Sequence, residues 1–378
     1  MTNETYDTPA DAESDSGLMR TTRRTALRGA ELVGLLAMGV GSASANQETS
    51  SQTTKQALQQ TTDKTETVPV TWKNFPRAQF GFEMASYVKR GGFGKFYHHR
   101  TLFPINKQVE AATNRDTLYS GGFFDLTKPV TITKPDTDNR YQSMVVINAD
   151  QYLKMLEYEP GEYTLTEDDI GTRYAGVLVR TFVDPKDPND VATAHRLQNE
   201  LTVSQDSAGT FEIPNWDRQS HDELFDALTT VGKTMDNFDG AYGDVGQVNP
   251  VKFLLASVTP FGFPASETIF LSRVPAQNDG TTPYELTVKN VPVDGFWSIT
   301  VYNHNWYLEK NKYDAYSVNN VTAERNADGS VTVHFGGDPN QSNFLYTPKG
   351  WNYMVRLYQP RKAILDGSYQ FPKAQPIK

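Results

Sequence analysis

The hydrophobic positions change their spacing along the chain, and each spacing predicts a different element. Apolar residues recur every three or four positions after Pro76, which predicts a helix that the glycine pair at 91–92 ends. From Leu118 the pattern changes to short β-branched and aromatic segments bounded by Pro, Asp, Asn and Gly, as is typical of an antiparallel sandwich. These predicted strands cover residues 118–124, 141–147, 152–158 and 175–183.

Three further helices are predicted after these strands in the sequence. The first, at 187–201, begins with an Asp-Pro pair that supplies an N-cap and a first-turn proline. The second begins with a capping box at Ser220 and continues over regularly spaced apolar residues at 224–238. The third begins at Asn249 and stops before the next proline. The last two form a small helical insert within residues 205–260.

Strand spacing resumes after Pro264 and continues to the end of the chain. An Asp-Gly pair at 328–329 predicts a hairpin between strands at 322–325 and 331–335. Because no strand-helix-strand alternation is present, we expect a second β domain, either a sandwich or a jelly roll. The other predicted strands are 268–273, 284–289, 296–302 and 351–358.

Residues 1–45 have the composition of a twin-arginine signal peptide. The arginine pair at 23–24 precedes a short apolar segment at 32–40 and a small-residue cleavage site that ends at Ala45. That segment is shorter than the roughly 18–20 residues that span a bilayer, so we expect cleavage rather than membrane anchoring. Residues 46–66 are rich in Gln, Thr and Ser and are predicted to be a disordered linker. We therefore expect a soluble mature protein without an integral membrane segment, located in the periplasm, on the cell surface or outside the cell.

Composition narrows the possible partners and chemistry. The chain has 378 residues, of which 38% are hydrophobic and 12% aromatic, enough for a substantial core rich in sheet. Its formal net charge of -9 argues against nucleic acid or an anionic membrane as a partner. Cysteine is absent, which excludes disulfides, a thiolate nucleophile and metal sites that depend on Cys.

Four motifs occur in an order that resembles two paired families. They are Gly-Gly-Phe-Gly-Lys-Phe at 91–96, Asn-Arg-Asp-Thr-Leu-Tyr-Ser at 114–120, Pro-Val-Asp-Gly-Phe-Trp-Ser at 292–298 and Gly-Trp-Asn-Tyr-Met-Val-Arg-Leu-Tyr at 350–358. From about residue 72 to its end, the chain is similar to domain of unknown function 1254 followed by domain of unknown function 1214. This resemblance implies a mainly β protein with an N-terminal antiparallel β-sandwich at 67–204, a helical segment at 205–260 and a C-terminal jelly-roll-like domain at 261–378. The families have no agreed reaction, so the fold does not supply a function.

The segment before the first long strand holds the first candidate site. Asn114, Arg115, Asp116 and Thr117 place an amide, a guanidinium, a carboxylate and a hydroxyl side by side, with Tyr119 close behind. Arg115 is suited to a bidentate pair with a substrate carboxylate, and Asp116 to the role of base or orienting group. The alternative is a structural clamp, in which Asp116 and Thr117 bond backbone amides and fix the loop.

His98 and His99 are further candidate catalytic residues, to act together with Arg115 and Asp116. Adjacent residues of a strand point to opposite faces, so the two imidazoles are not expected to chelate one metal ion. No His-Glu-x-x-His motif or comparably spaced set occurs. We therefore predict no metal site and no cofactor.

A second group of candidates, for ligand binding, lies in the last third of the chain. Aromatic rings with a nearby arginine are typical of a pocket for a sugar, an aromatic compound or a planar acid. Alternation along a strand at 351–358 allows only half of its residues to share one face, and core packing explains the tryptophans equally well. The candidates are Trp297, Tyr302, Trp351, Tyr353 and Arg356.

Two hypotheses about function follow. The first is an exported protein that binds a small molecule or an envelope component through its β domains. The second is a cofactor-free hydrolase or lyase with a site between the domains. A perturbed carboxylate or imidazole in a cleft shared by both domains would favour the second. The sequence leaves the ligand, the reaction and the oligomeric state open.

Overall fold

The computed structural model describes residues 66–108, 111–235 and 237–377. The described chain is mainly β, with 28% strand and 20% helix, which confirms the predicted fold class. The predicted signal peptide and nearly all of the predicted linker lie outside the described residues.

The helices are few and mostly short. They are α1 Phe75–Arg90, α2 Glu167–Ile170, α3 Pro188–Glu200, α4 Arg218–Gly232, α5 Pro250–Ala256 and α6 Lys362–Leu365, with a 3-10 turn at Ile105–Lys107. The strands are β1 Tyr97–His99, β2 Thr117–Asp125, β3 Val130–Lys134, β4 Gln142–Asn148, β5 Leu153–Glu157, β6 Gly161–Leu165, β7 Tyr174–Phe182, β8 Thr202–Ser204, β9 Thr268–Arg273, β10 Tyr284–Val288, β11 Trp297–Tyr302, β12 Ser317–Asn319, β13 Val331–Phe335, β14 Phe344–Leu345, β15 Asn352–Tyr358 and β16 Gln375–Pro376. No helix within the described ranges is long and apolar enough to cross a membrane.

The N-terminal strands form two sheets. A five-stranded sheet has the order β1-β2-β7-β4-β5, and a three-stranded sheet has the order β6-β3-β8. Alternate residues of the larger sheet, including Met144 and Val177, pack with Ile132 of the smaller sheet in one apolar cluster. The opposite face packs on α1 and on residues of the C-terminal region. Both faces are therefore covered, which explains why β2, β4 and β7 are buried along their whole length.

The C-terminal strands form two four-stranded sheets, with the orders β14-β13-β10-β16 and β12-β11-β15-β9. Their facing residues, such as Leu286, Ile299, Val333 and Val355, make one apolar core. The other face of the β12-β11-β15-β9 sheet is polar yet buried, and it meets the N-terminal region. Aromatic packing supports this contact, because the Phe296 ring lies 5.0 Å from the Phe182 ring and 5.1 Å from the Tyr141 ring within the cluster that covers the larger N-terminal sheet.

The hairpin predicted at 328–329 is wrong. β13 pairs antiparallel with β10 and parallel with β14, whereas residues 322–325 form no strand. Asp328 instead closes a local turn, since its Oδ1 accepts from the Ser330 amide at 3.0 Å. β13 pairs with β10 rather than with residues 322–325 because the buried positions of β10 alternate in phase with those of β13. Most of 322–325 is exposed.

The predicted start and end of α4 also differ from the structure. The N-cap is Asp217, whose side chain accepts from the Ser220 amide at 2.9 Å, so Ser220 lies inside the first turn. The Ser220 hydroxyl accepts instead from the Val70 amide at 2.9 Å. The helix ends at Gly232, and apolar positions up to 238 that fit the helical spacing lie beyond it.

Glu83 lies on the buried side of α1 and is 6% exposed. Burial raises the pKa of its carboxyl to about 8, although the charges of Arg90 and Arg218 lower it. Gln79 donates to Glu83 Oε1 at 3.4 Å. The carboxyl is therefore protonated in the folded protein at neutral pH.

We expect Glu83→Gln to become more stable than the wild type as the pH rises. The folded pKa of about 8 exceeds the ordinary value of 4.5, so the stability from protonation is complete below about pH 4.5 and lost as the pH passes through 8. Urea unfolding at pH 5, 7 and 9 should show the wild type losing about 4 kcal/mol relative to the variant between pH 5 and pH 9. Glu223→Gln, at an exposed position of α4, is the control. A difference that stays constant with pH would contradict the assignment.

Candidate functional site

The buried side chain of Arg356 fastens the loop before β2 to the C-terminal sheet. It projects from the face of β15 opposite the C-terminal core and is 1% exposed. Its Nη1 donates to Thr300 Oγ1 at 3.1 Å, and its Nη2 donates to the Ala112 carbonyl at 2.6 Å and the Tyr302 hydroxyl at 2.8 Å. The Tyr302 hydroxyl donates in turn to the Thr113 carbonyl at 2.9 Å. The loop and the sheet thus share one hydrogen-bond network.

Asn114 and Asp116 extend this network. We call the contact between the loop before β2 and the β12-β11-β15-β9 sheet the junction. Asn114 Oδ1 accepts from the Asp116 amide at 2.6 Å, and its Nδ2 donates to the Tyr358 hydroxyl at 3.0 Å. Asp116 Oδ1 accepts from Asn319 Nδ2 at 3.2 Å and from the Ser317 hydroxyl at 3.4 Å. Two side chains of the C-terminal region therefore hold the Asp116 carboxylate, and Asn114 holds its backbone amide.

The Asp116 side chain lies inside the junction. It is fully buried, and its Oδ2 has no hydrogen-bond partner within the described part of the chain. Burial by itself lowers the pKa of Arg356, but nearby groups that include Tyr302 and Asp116 keep it above the ordinary value. Arg356 is therefore charged and offsets the charge of Asp116.

Arg115 lies in the wall of an open cleft between the two β regions. Its guanidinium carbon lies 5.3 Å from the centre of the Tyr316 ring, and its Nη1 donates to the Phe103 carbonyl at 3.5 Å. Burial lowers the pKa of Arg115, and Asp314 is the strongest of the groups that raise it. The adjacent residues Arg115 and Asp116 therefore have different surroundings: Arg115 lies at the cleft and Asp116 lies in the junction.

The cleft has a volume of about 510 Å³ and a mostly polar lining. The N-terminal region contributes Arg115 and the loop at 184–186, and the C-terminal region contributes the remainder. Ser317 and Asn319 line it as well as holding Asp116, so the cleft lies directly over the buried carboxylate. The lining residues are Arg115, Asp184, Pro185, Lys186, Tyr313, Asp314, Ala315, Tyr316, Ser317, Val318, Asn319, Thr322, Glu324, Pro339, Asn340, Gln341, Ser342, Asn343 and Phe344.

The candidate ligand-binding residues divide between the junction and the core. Tyr302 and Arg356 lie in the junction, where they donate to the Thr113 and Ala112 carbonyls. Trp297, Trp351 and Tyr353 lie in the C-terminal core instead; Trp351 stacks on Phe335 with ring centres 5.3 Å apart. The pleat of β11 and β15 explains this division, because alternate residues face opposite sides of the sheet.

Thr117 and Tyr119 belong to β2, behind the cleft. Thr117 Oγ1 accepts weakly from Asn114 Nδ2 at 3.5 Å. Tyr119 is 2% exposed and packs against Phe103, with ring centres 6.0 Å apart. Neither residue lines the cleft. Both contribute to the packing beneath it.

The two histidines of β1 point to opposite sides, and neither lines the cleft. His98 Nδ1 lies 2.8 Å from the Ser120 hydroxyl, while His99 Nε2 lies 3.5 Å from the Tyr87 hydroxyl. Burial lowers the pKa of each imidazole to about 4, with Arg100 and Arg90 as further causes respectively. The side chains are neutral at neutral pH, and the structure does not bring them together with Asp116.

Sequence reasoning missed several parts of this site. Ser317 and Asn319 belong to a three-residue strand that has no periodic signal of its own. The turn at 339–343 and the exposed ring of Tyr313 also line the cleft, and neither belongs to a motif. No group of three or more His, Asp or Glu side chains in the described ranges is arranged to hold a metal ion.

Two regions of the chain match known protein families. Residues 93–205 match the family described as "Protein of unknown function (DUF1254)", and residues 273–362 match "Protein of unknown function (DUF1214)". The two families therefore match separate regions of the chain in the predicted order, which confirms the resemblance. No curated protein matches the chain.

Two solved structures are similar to this chain. The VPA0106 protein of Vibrio parahaemolyticus aligns with a TM-score of 0.62 and 16% identity over 81% of this chain and 97% of its own. An uncharacterised protein of Burkholderia cenocepacia aligns with a TM-score of 0.45 and 14% identity over 81% of this chain and 87% of its own. The Vibrio protein shares the fold of this chain.

Proposed function

We propose that the protein binds a small, hydroxyl-rich molecule in the cleft between its two β regions. The observation that carries this proposal is the cleft itself, about 510 Å³ in volume and lined from both halves of the chain. That volume lies within the range of small-molecule sites. A saccharide, free or as part of an envelope polymer, has the appropriate chemistry.

The lining supports an uncharged ligand over an ionic one. Two basic side chains, Arg115 and Lys186, face three acidic ones, Asp184, Asp314 and Glu324, so neither sign dominates. The other polar groups are amides and hydroxyls, which donate and accept hydrogen bonds as sugar hydroxyls require.

Tyr313 supplies an aromatic platform at the cleft. Its side chain is 39% exposed, and the edge-on ring of Phe344, 5.3 Å away, holds it in place. The Tyr346 ring lies 6.3 Å from it and Lys312 Nζ lies 5.1 Å from its ring centre, and the exposed part of the Tyr313 ring is available to a flat ligand face. The stacking surface of the proposed site is therefore Tyr313.

Tyr313→Ala is expected to weaken saccharide binding about 10-fold or more, because the stacking surface is lost. Calorimetric titration with maltose, trehalose and N-acetylchitobiose, and with a soluble cell-wall glycan, would measure the effect and separate free sugars from an envelope polymer. Trp72→Ala removes an aromatic ring that is more exposed than Tyr313, at 63%, and that does not line the cleft. The control should bind as the wild type does. Lack of saccharide binding by the wild type, or equal binding by Tyr313→Ala, would contradict the proposal.

We further propose that the protein acts outside the cytoplasm after twin-arginine export. The arginine pair at 23–24, the apolar segment at 32–40 and the cleavage site at Ala45 support this location. Export through this route delivers a folded protein, which suits a fold without cysteine that depends on packing.

A further inference from the structure

A row of polar side chains crosses the face of the larger N-terminal sheet that meets the junction. Arg180 of β7 is paired in register with Tyr119 of β2 and with Ser143 of β4. Directly paired residues share one face of an antiparallel sheet, so the three side chains lie side by side. The neighbouring residues Leu178 and Phe182 belong to the apolar cluster that covers this face. The row is therefore enclosed by apolar packing.

Arg180 is a buried cation with an unused donor. It is 4% exposed, and its Nη2 donates to the Phe261 carbonyl at 2.9 Å. Its guanidinium carbon lies 4.4 Å from the centre of the Phe263 ring. Nη1 has no hydrogen-bond partner among the residues described, and none of their carboxylates lies within 4.0 Å of the guanidinium. A buried guanidinium without an anion is costly.

Two buried hydroxyls lie beside Arg180, those of Tyr141 and Ser143, and neither has a hydrogen-bond partner outside this pair among the described residues. Tyr141 stands two residues before Ser143, on the same side of the sheet, and its carbonyl accepts from the Phe182 amide at 3.0 Å. Burial raises the pKa of Tyr141, while Ser143 and Arg180 lower it, as expected of adjacent groups. The Arg180 guanidinium and the two hydroxyls thus lie on the same buried face of the sheet.

We propose that Arg180 Nη1, the Tyr141 hydroxyl and the Ser143 hydroxyl bind a small monovalent anion, either a halide or the carboxylate of a formate-sized group. One positive charge matches one negative charge, and the Phe263 ring packs on the guanidinium with its centre 4.4 Å from the guanidinium carbon. The charge of Glu267 also raises the pKa of Tyr141, but the Glu267 carboxylate accepts from the Tyr158 hydroxyl at 2.9 Å. None of the three binding residues lines the inter-domain cleft, so this site is distinct from the proposed saccharide site.

Crystals of the wild-type protein soaked in sodium bromide test the proposal directly. The expected result is an anomalous difference peak within hydrogen-bond distance of Arg180 Nη1 and both hydroxyls. A parallel soak in sodium formate should show planar density on the same donors. An ordered water at this position in both soaks would overturn the proposal.

Thermal unfolding in solution provides the second test. At constant ionic strength, the melting midpoint of the wild type should rise with bromide or formate until the site saturates. The variant Tyr141→Phe/Ser143→Ala, which keeps Arg180 and the packing volume, should need about 10-fold more anion for the same rise.

Ser298→Ala is the matched control, because Ser298 is also fully buried and its hydroxyl also lacks a partner among the described residues. Its response should equal that of the wild type. A response to formate alone would assign the site to a carboxylate, and a response to bromide as well would assign it to small anions in general. The absence of any saturable rise, or an equal rise in all three proteins, would overturn the proposal.

Discussion

Arg356→Met is expected to lower the free energy of unfolding by about 3–5 kcal/mol. The methionine fills a similar volume but removes the donors that bind Thr300, Ala112 and Tyr302. It also leaves the Asp116 carboxylate buried without the positive charge that offsets it. Urea denaturation followed by circular dichroism would measure the loss.

Arg361→Met is the matched control for this prediction. Arg361 pairs with Asp294 at 2.7 Å, but the two side chains are 59% and 61% exposed, so the expected loss is only about 0–1 kcal/mol. Adding Asp116→Asn to Arg356→Met should recover part of the loss, because the uncompensated charge is removed. If Arg356→Met cost no more than the control, the junction would not be a stabilising network.

Replacing both arginines at 23–24 by lysine is expected to stop export and leave nearly all of the protein in the cytoplasm as uncut precursor. Lysine keeps the charge but lacks the planar guanidinium, and such a signal is read as an address rather than as a charged anchor. Cell fractionation and N-terminal sequencing would locate both forms, and the exported wild type should begin at Asn46.

Arg20→Lys/Arg28→Lys is the control for export. It changes two arginines of the same segment outside the pair and conserves the same charge. This variant should be exported and cleaved after Ala45 as the wild type is. Equal export of the 23–24 variant would show that another signal directs the protein.

The surroundings of Asn114, Arg115 and Asp116 could not be predicted from the local sequence. Their order in the chain predicts a polar loop at the start of a strand, and the site and clamp hypotheses fit it equally well. The structure gives different surroundings to the neighbours, with Arg115 at the cleft and Asp116 bonded to Asn319, 203 residues away. A contact of that sequence separation leaves no trace in local spacing.

The sequence by itself determined the elements whose signals are local. Helix α1 and most long strands follow from apolar spacing, because burying one face of a helix or a strand requires a fixed period. The order of four motifs determined both family assignments. Only the tertiary structure decided that β13 pairs with β10, that the tryptophans fill the core and that Asp116 and Arg356 are buried in the same junction. These outcomes depend on which distant surfaces cover one another, and the period of a strand specifies a buried face without specifying its partner.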